Sequence, residues 1–237
     1  MATLYLIPTV LSDAPLSSVL PEGNSDIVRR LRFFIVENIR TARRFLKQVD
    51  RTIDIDTLTF FELNQHTDPT VVETFLNPLL QQGEDMGIIS EAGCPAVADP
   101  GADVVAIAQR KGIKVMPLVG PSSILLSVMG SGFNGQSFAF NGYLPIEKGE
   151  RQKRLRTLER RAYSEDQTQI FIETPYRNLQ LFQEMCATLQ PNTRLCIACN
   201  LTAETQSIVT RSISSWQHHT PEEIHKVPTI FLIYKAG

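Results

Sequence analysis

The chain has 237 residues, of which 43% are hydrophobic and 20% charged, and its formal net charge is −2. This length suits two cores better than one, and the composition excludes a disordered chain. The charge offers no global attraction for a polyanion, so any nucleic-acid partner needs a local basic patch.

No apolar run approaches the ~20 residues of a membrane span. The first stretch, "MATLYLIPTV", lacks the basic and long apolar regions of a signal peptide. Together these predict a cytoplasmic protein with no membrane partner.

In chain order, the strand-like run "TLYLIP" is followed by a helical pattern around "SDIVRRL", then "RFFIVE", then the helical "IRTARRFLKQV". Next come "TLTFFEL", a long helical pattern over "DPTVVETFLNPLLQQG", the strand "MGIIS", a helix after Pro100, and the strand "IKVMPLV". Asp68-Pro69 reads as a helix start, with Asp as the cap. Strand–helix alternation with short connections predicts a mostly parallel sheet covered by helices.

"MPLVGPSS" breaks this rhythm, and the domain boundary is expected there, giving an N-terminal α/β domain over 1–118 and a C-terminal one over 119–237. Beyond it follow a helix "SSILLSVM", a strand "SFAFNGYL", a basic helix from Lys148 to about Tyr163, and "TQIFIE". A helix after Pro175 and the strands "TRLCIACNL", "TQSIVTRSI" and "PTIFLIY" complete the chain. Strands in succession predict a mixed second sheet.

Two motifs are set aside. Gly130-Ser-Gly132-Phe-Asn-Gly135 matches the dinucleotide fingerprint in letters, but it follows a helix and precedes a strand, the reverse of the order that brings a pyrophosphate to a helix N-terminus. Of the four cysteines, Cys196 and Cys199 form a C-x-x-C inside a strand, where residues three apart face opposite ways. They read as small buried hydrophobes, and with no ligand spacing among the histidines, no metal site is expected.

The segment "ISEAGCPAVADPG", from Ile89 to Gly101, carries two Gly, two Pro and two acids between a strand and a helix. In an open α/β sheet ligands bind at such loops. With "VMPLVGPSS", "FAFNGYLP" running into "EKGERQKRLRTL", and "FIETPYRNL", it resembles the tetrapyrrole methylase superfamily of S-adenosylmethionine (SAM) dependent methyltransferases. The wording is most similar to the branch that methylates a ribose 2′-hydroxyl of small-subunit ribosomal RNA.

The resemblance implies SAM held in a cleft between two α/β domains, a homodimer, and ribosomal RNA as a partner. It places Pro8, Ala92, Gly93, Cys94 and Val97 at the cofactor, together with Ser122, Ser123, Glu173, Thr174, Leu201 and Thr229.

Acceptor-side motifs depart from the branch. "VENIR" keeps Glu37 and Arg40 of A-E-D-T-R, "ELNQHT" matches H-E-H-N loosely through Asn64 and His66, and "ACNLT" loses both charges of A-R-E-L-T. A ribose hydroxyl benefits from a general base. Glu37 is the carboxylate to test as base, with Arg40 and Arg177 as orienting cations; the competing reading of Glu37 is a salt bridge or cap at a strand–helix junction. The basic run from Lys148 to Arg161, Arg151, Lys153 and Arg154 included, is expected to contact phosphates; "RRLRFF" and "RTARR" form a second cluster. A tetrapyrrole or other small-molecule methylase, and a SAM-binding protein without transfer activity, remain alternatives.

Overall fold

The computed structural model describes residues 2–64 and 66–237; Gln65, within the "ELNQHT" match, lies outside the described residues. The chain forms two compact units, Met1–Ser122 and Ser123–Gly237.

The first unit is built on five parallel strands: β1 (Thr3–Ile7), β2 (Phe33–Val36), β3 (Thr59–Glu62), β4 (Met86–Ile89) and β5 (Lys114–Pro117), in the order β3-β2-β4-β1-β5. Its helices are α1 (Glu22–Arg30), α2 (Ile39–Val49), the short α3 (Pro69–Val72) and α4 (Gly101–Arg110).

Side chains alternate across the sheet, so each strand feeds two cores. Leu4, Leu6, Ile35, Met86 and Ile88 pack with Val104 and Ala108 of α4 on one face. Ile7, Phe34, Val36 and Ile89 pack with Val28 of α1 and with Phe45 and Leu46 of α2 on the other. Gly87 belongs to the second face, where a Cβ would come within 2.5 Å of Ile7 and 3.1 Å of Phe34.

The long helix expected over "DPTVVETFLNPLLQQG" is broken. Asp68 caps α3 by accepting from the Thr70 N–H, the chain tightens to a 3₁₀ turn at Glu73–Leu76, and a π turn runs Pro78–Gln82. Pro78 explains the break, because it removes a backbone donor and crowds the preceding turn. Leu76 and Leu79 are still buried in the first core.

The second unit holds α5 (Ser123–Ser131), β6 (Phe138–Tyr143), α6 (Lys148–Ser164), β7 (Thr168–Ile172), α7 (Asn178–Thr188), β8 (Arg194–Cys199), β9 (Ser207–Ser212), α8 (Ile213–Trp216) and β10 (Thr229–Tyr234). The sheet order is β6-β7-β10-β8-β9. Only the β6–β7 pair is parallel, so the sheet is mixed as the sequence predicts.

Its core gathers Leu155 and Leu158 of α6, Phe182 and Met185 of α7, Trp216, and Leu195, Ile197, Phe171 and Phe231 from the strands. Cys199 belongs to this core, whereas Cys196 is buried outside it, the opposed placement a strand requires. Burial pushes the Cys196 thiol up to about 11. Gly132, with φ +71°, ends α5 in the left-handed conformation, so the G-x-G-x-x-G stretch is a helix stop.

Candidate functional site

The strand order of the first sheet creates a switch point. β1 and β4 are neighbours, but the chain leaving β1 enters the face covered by α1 and the chain leaving β4 enters the face covered by α4. The two connections diverge and open a crevice at the carboxyl ends of these strands, the position at which open α/β sheets take ligands. Register fixes what stands there: Ile7 pairs with Ile89 and Val36 pairs with Ile89. Pro8, Glu37 and Ser90 therefore leave the sheet at the same level.

The loops at this edge are tied to one another by backbone. The Thr9 N–H donates to the Gly93 carbonyl at 3.0 Å, the Thr9 hydroxyl to the Ser90 carbonyl at 3.2 Å, and the Ser90 hydroxyl to the Gly93 carbonyl at 2.6 Å. The Cys94 thiol points at the Pro121 carbonyl, 3.4 Å away. Gly93 has φ +73°, and a Cβ there would lie 3.0 Å from Leu11 and 3.3 Å from the Pro121 oxygen. A Cβ on Gly120 would collide with the ring of Pro8.

Ala96 and Ala98 follow Gly93 in the left-handed region, at φ 64° and 56°. Each such alanine costs roughly 1–2 kcal/mol, a strain found most often at functional loops. Asp99 then accepts from the Gly101 N–H at 2.6 Å and starts α4. Of the residues expected at the cofactor, Gly93 and Pro8 are buried in this cluster, Cys94 is partly buried, Ala92 and Val97 are exposed on the loop, and Ser122 is partly exposed at its end.

Glu37 stands beside Asp99. Burial, then the charge of Asp99 and a hydrogen bond to it, then the charge of Glu91, raise the Glu37 carboxyl from 4.5 to about 7. A carboxyl poised there can accept a proton near neutrality. Asn38, which stands where the family motif has Asp, caps α2 by accepting from the Arg40 and Thr41 N–H groups. The Thr41 hydroxyl donates to Glu91 at 2.5 Å. Arg40 is exposed on the first turn of α2. Nothing in the sequence pairs Asp99 with Glu37, 62 residues away; the acid of the D-P-G segment is the one signal it carries.

In the second unit the expected residues lie after β7, after β8, at the start of β10 and at the start of α5. Glu173, buried at the end of β7, accepts from the Thr174 N–H at 2.7 Å and from Arg177 Nη2 at 2.7 Å and Nε at 3.1 Å. Arg177 is thereby held by Glu173. The Thr229 hydroxyl is already committed: it donates to the Val227 carbonyl and accepts from Asn178 Nδ2. Leu201 is buried between two left-handed residues, Asn200 and Thr202. Ser123 begins α5.

The basic run on α6 differs from its sequence reading. Arg151 is buried, forming a two-pronged pair with Glu184 at 2.6 Å and donating to the Pro145 and Ile146 carbonyls. The bond from Arg151 holds the Glu184 carboxyl below its usual range. Arg154 donates to the Asn141 side chain and Lys153 pairs with Glu150. Arg151 therefore locks the segment after β6 and is closed to phosphate; helical periodicity turns it inward beside Leu155 and Leu158.

Among the described residues no group of His, Cys, Asp and Glu is arranged to hold a metal ion, and no helix is long and apolar enough to cross a membrane.

Comparison with known proteins places this architecture. Solved structures that share it include the methyltransferase CobJ (14% identity, TM-score 0.63, 99% of this chain and 94% of that one) and cobalt precorrin-4 methyltransferase (11%, TM-score 0.60, 98% and 94%). The two-sheet fold of this chain is thus the one these structures share.

No family model matches the chain. Curated relatives narrow the class. The ribosomal RNA small subunit methyltransferase I of Escherichia coli is 30% identical over 205 residues, 86% of this chain and 67% of that protein. Its namesake from Vibrio cholerae is 27% identical over the same share of each. The chain belongs to the ribosomal RNA small subunit methyltransferase I family.

Proposed function

We propose that this protein is a SAM-dependent methyltransferase that modifies a ribose 2′-hydroxyl of ribosomal RNA, in the cytoplasm and as a homodimer. The observation that carries the reading is the kinship with ribosomal RNA small subunit methyltransferase I, joined to the Glu37 carboxyl beside Asp99 at the switch point of the first sheet. Bound SAM supplies an electrophilic methyl group on a positive sulfonium.

The edge suits that cofactor. SAM has no phosphates, and the loop from Ser90 to Gly101 has no lysine or arginine. It offers backbone groups close to Gly93, where a side chain would fill the space, and carboxylates that complement a sulfonium. Pro8, Ala92, Gly93, Cys94, Val97 and Ser122 hold the cofactor in this reading. For Ser123, Glu173, Thr174, Leu201 and Thr229 of the second unit, the family resemblance alone supports a cofactor role.

Glu37 in its ionised form accepts the proton of the attacking hydroxyl. Asp99 keeps that carboxyl basic, and the Gly101 N–H fixes Asp99 in turn. Arg40 and Arg177 orient the acceptor. Much of the rate comes from holding nucleophile and methyl in line, since the leaving thioether needs no proton.

Transfer of label from tritiated SAM to small-subunit ribosomal RNA, and in parallel to a porphyrinogen, tests the proposal. Label in the RNA alone is expected. Label in the porphyrinogen alone assigns the protein to tetrapyrrole methylation, and label in neither leaves a SAM-binding protein.

A further inference from the structure

We infer that the solvent face of α2, through Arg43 and Arg44 with Arg40 and Lys47, is the track that holds the phosphates of the RNA acceptor. This rests on the RNA reading above and assigns the docking surface to the first unit. Between Ile39 and Val49 the helix has four cations and no acid. Ala42, Phe45 and Leu46 take its buried face, which leaves the cations exposed, with Lys47 also donating to the Arg51 and Ile53 carbonyls. Arg40 to Lys47 covers about 10 Å of helix axis.

Other basic clusters are partly spent and carry acids among their cations, although Arg156 and Arg160 on α6 also form no ion pair among the described residues. Arg29 on α1 pairs with Asp26 and Asp50. On α6, Arg151 is buried against Glu184, Lys153 pairs with Glu150, and Arg161 with Glu165. Among the described residues, Arg40, Arg43 and Arg44 form no ion pair. Arg43 lies over the Phe60 ring, 5.5 Å from its centre, which positions its guanidinium without neutralising it.

The track leads to the candidate site. Arg44 lines a cavity of about 220 Å³ with Thr9, Ser90 and Glu91. Thr41, one turn earlier on the same helix, donates to Glu91. Cations therefore run along the helix and end at the carboxylates of Glu91 and Glu37. A phosphate is attracted along the arginines and repelled at that end, where only a neutral group such as a ribose hydroxyl is favoured. The arrangement sorts backbone from nucleophile by charge.

The test measures binding of a fluorescent helix–loop fragment of small-subunit ribosomal RNA against salt concentration. It compares wild type, R43Q/R44Q, R43K/R44K, and the α6 control K153Q/R156Q/R160Q. Two lost phosphate contacts should flatten the slope of log affinity against log salt by about 1.4 to 1.8. The lysine pair should restore most of the slope, because lysine still serves a phosphate as a point charge. The control should keep it.

A slope unchanged in R43Q/R44Q, or lowered only in the α6 control, overturns the assignment. If Arg43 serves only to pack on Phe60, the glutamine variant melts at lower temperature with its slope intact, which also overturns it. A wild-type protein that binds no RNA at low salt would refute the RNA reading itself, an outcome distinct from binding that ignores α2.

Discussion

Replacing Asp99 with Asn should move the pH dependence of methyl transfer toward acid. Burial is the largest cause of the raised Glu37 carboxyl, and the neighbouring charge and hydrogen bond of Asp99 come next. Asn removes the charge but retains an oxygen for the Gly101 N–H, so the start of α4 should survive. Loss of one adjacent like charge lowers a carboxyl by about 1 pH unit, leaving Glu37 near 6 because burial and Glu91 remain. If the ionised carboxyl is the active form, wild type has about a tenth of it at pH 6 and D99N about half. The variant should then be about fivefold faster at pH 6 relative to its own plateau.

Stability follows the same titration. The folded value of Glu37 lies above the unfolded 4.5, so its contribution is present below pH 4.5 and lost as pH rises to about 7. Allowing for solvent at this half-buried site, the loss is on the order of 1 kcal/mol. D99N should lose less across that window. The assay is single-turnover transfer from pH 5.5 to 8.5, with thermal unfolding at each pH. A wild-type rate that is flat through pH 7, or a midpoint unmoved in D99N, would refute the coupling of these carboxyls to catalysis.

Gly93→Leu should abolish SAM binding by calorimetry, because φ +73° is strained for leucine and its side chain would meet Leu11 and the Pro121 oxygen; unchanged affinity would move the cofactor elsewhere. Arg151→Met should cost about 3–5 kcal/mol in urea unfolding by leaving Glu184 charged and buried, and R151M/E184L should recover most of it. Light scattering at micromolar concentration should report a dimer; a monomer alone would remove that part of the proposal.

The strand–helix alternation of the first unit is legible because each of its strands is followed by a helix and shows its apolar run plainly. "DPTVVETFLNPLLQQG" keeps helical spacing across Pro78, so its pattern alone reads as one helix, whereas the proline breaks it. The basic run on α6 shows the other limit. Counting charges cannot reveal that Arg151 turns inward to a glutamate 33 residues later, while its neighbours stay outside. Glu37 stood out as the carboxylate retained in "VENIR", but its environment depends on Asp99, which only the adjacency of β2 and β4 brings near. The left-handed Ala96 and Ala98 gave no signal, since alanine does not announce a positive φ as glycine does.

The most direct test of the central claim is nucleoside analysis of small-subunit ribosomal RNA labelled by the purified protein with tritiated SAM. Complete digestion followed by chromatography and mass spectrometry should place the label in a ribose-methylated nucleoside, and Glu37→Gln should remove most of it while the protein still binds SAM. Label on a base, or an E37Q variant as active as wild type, would contradict the account.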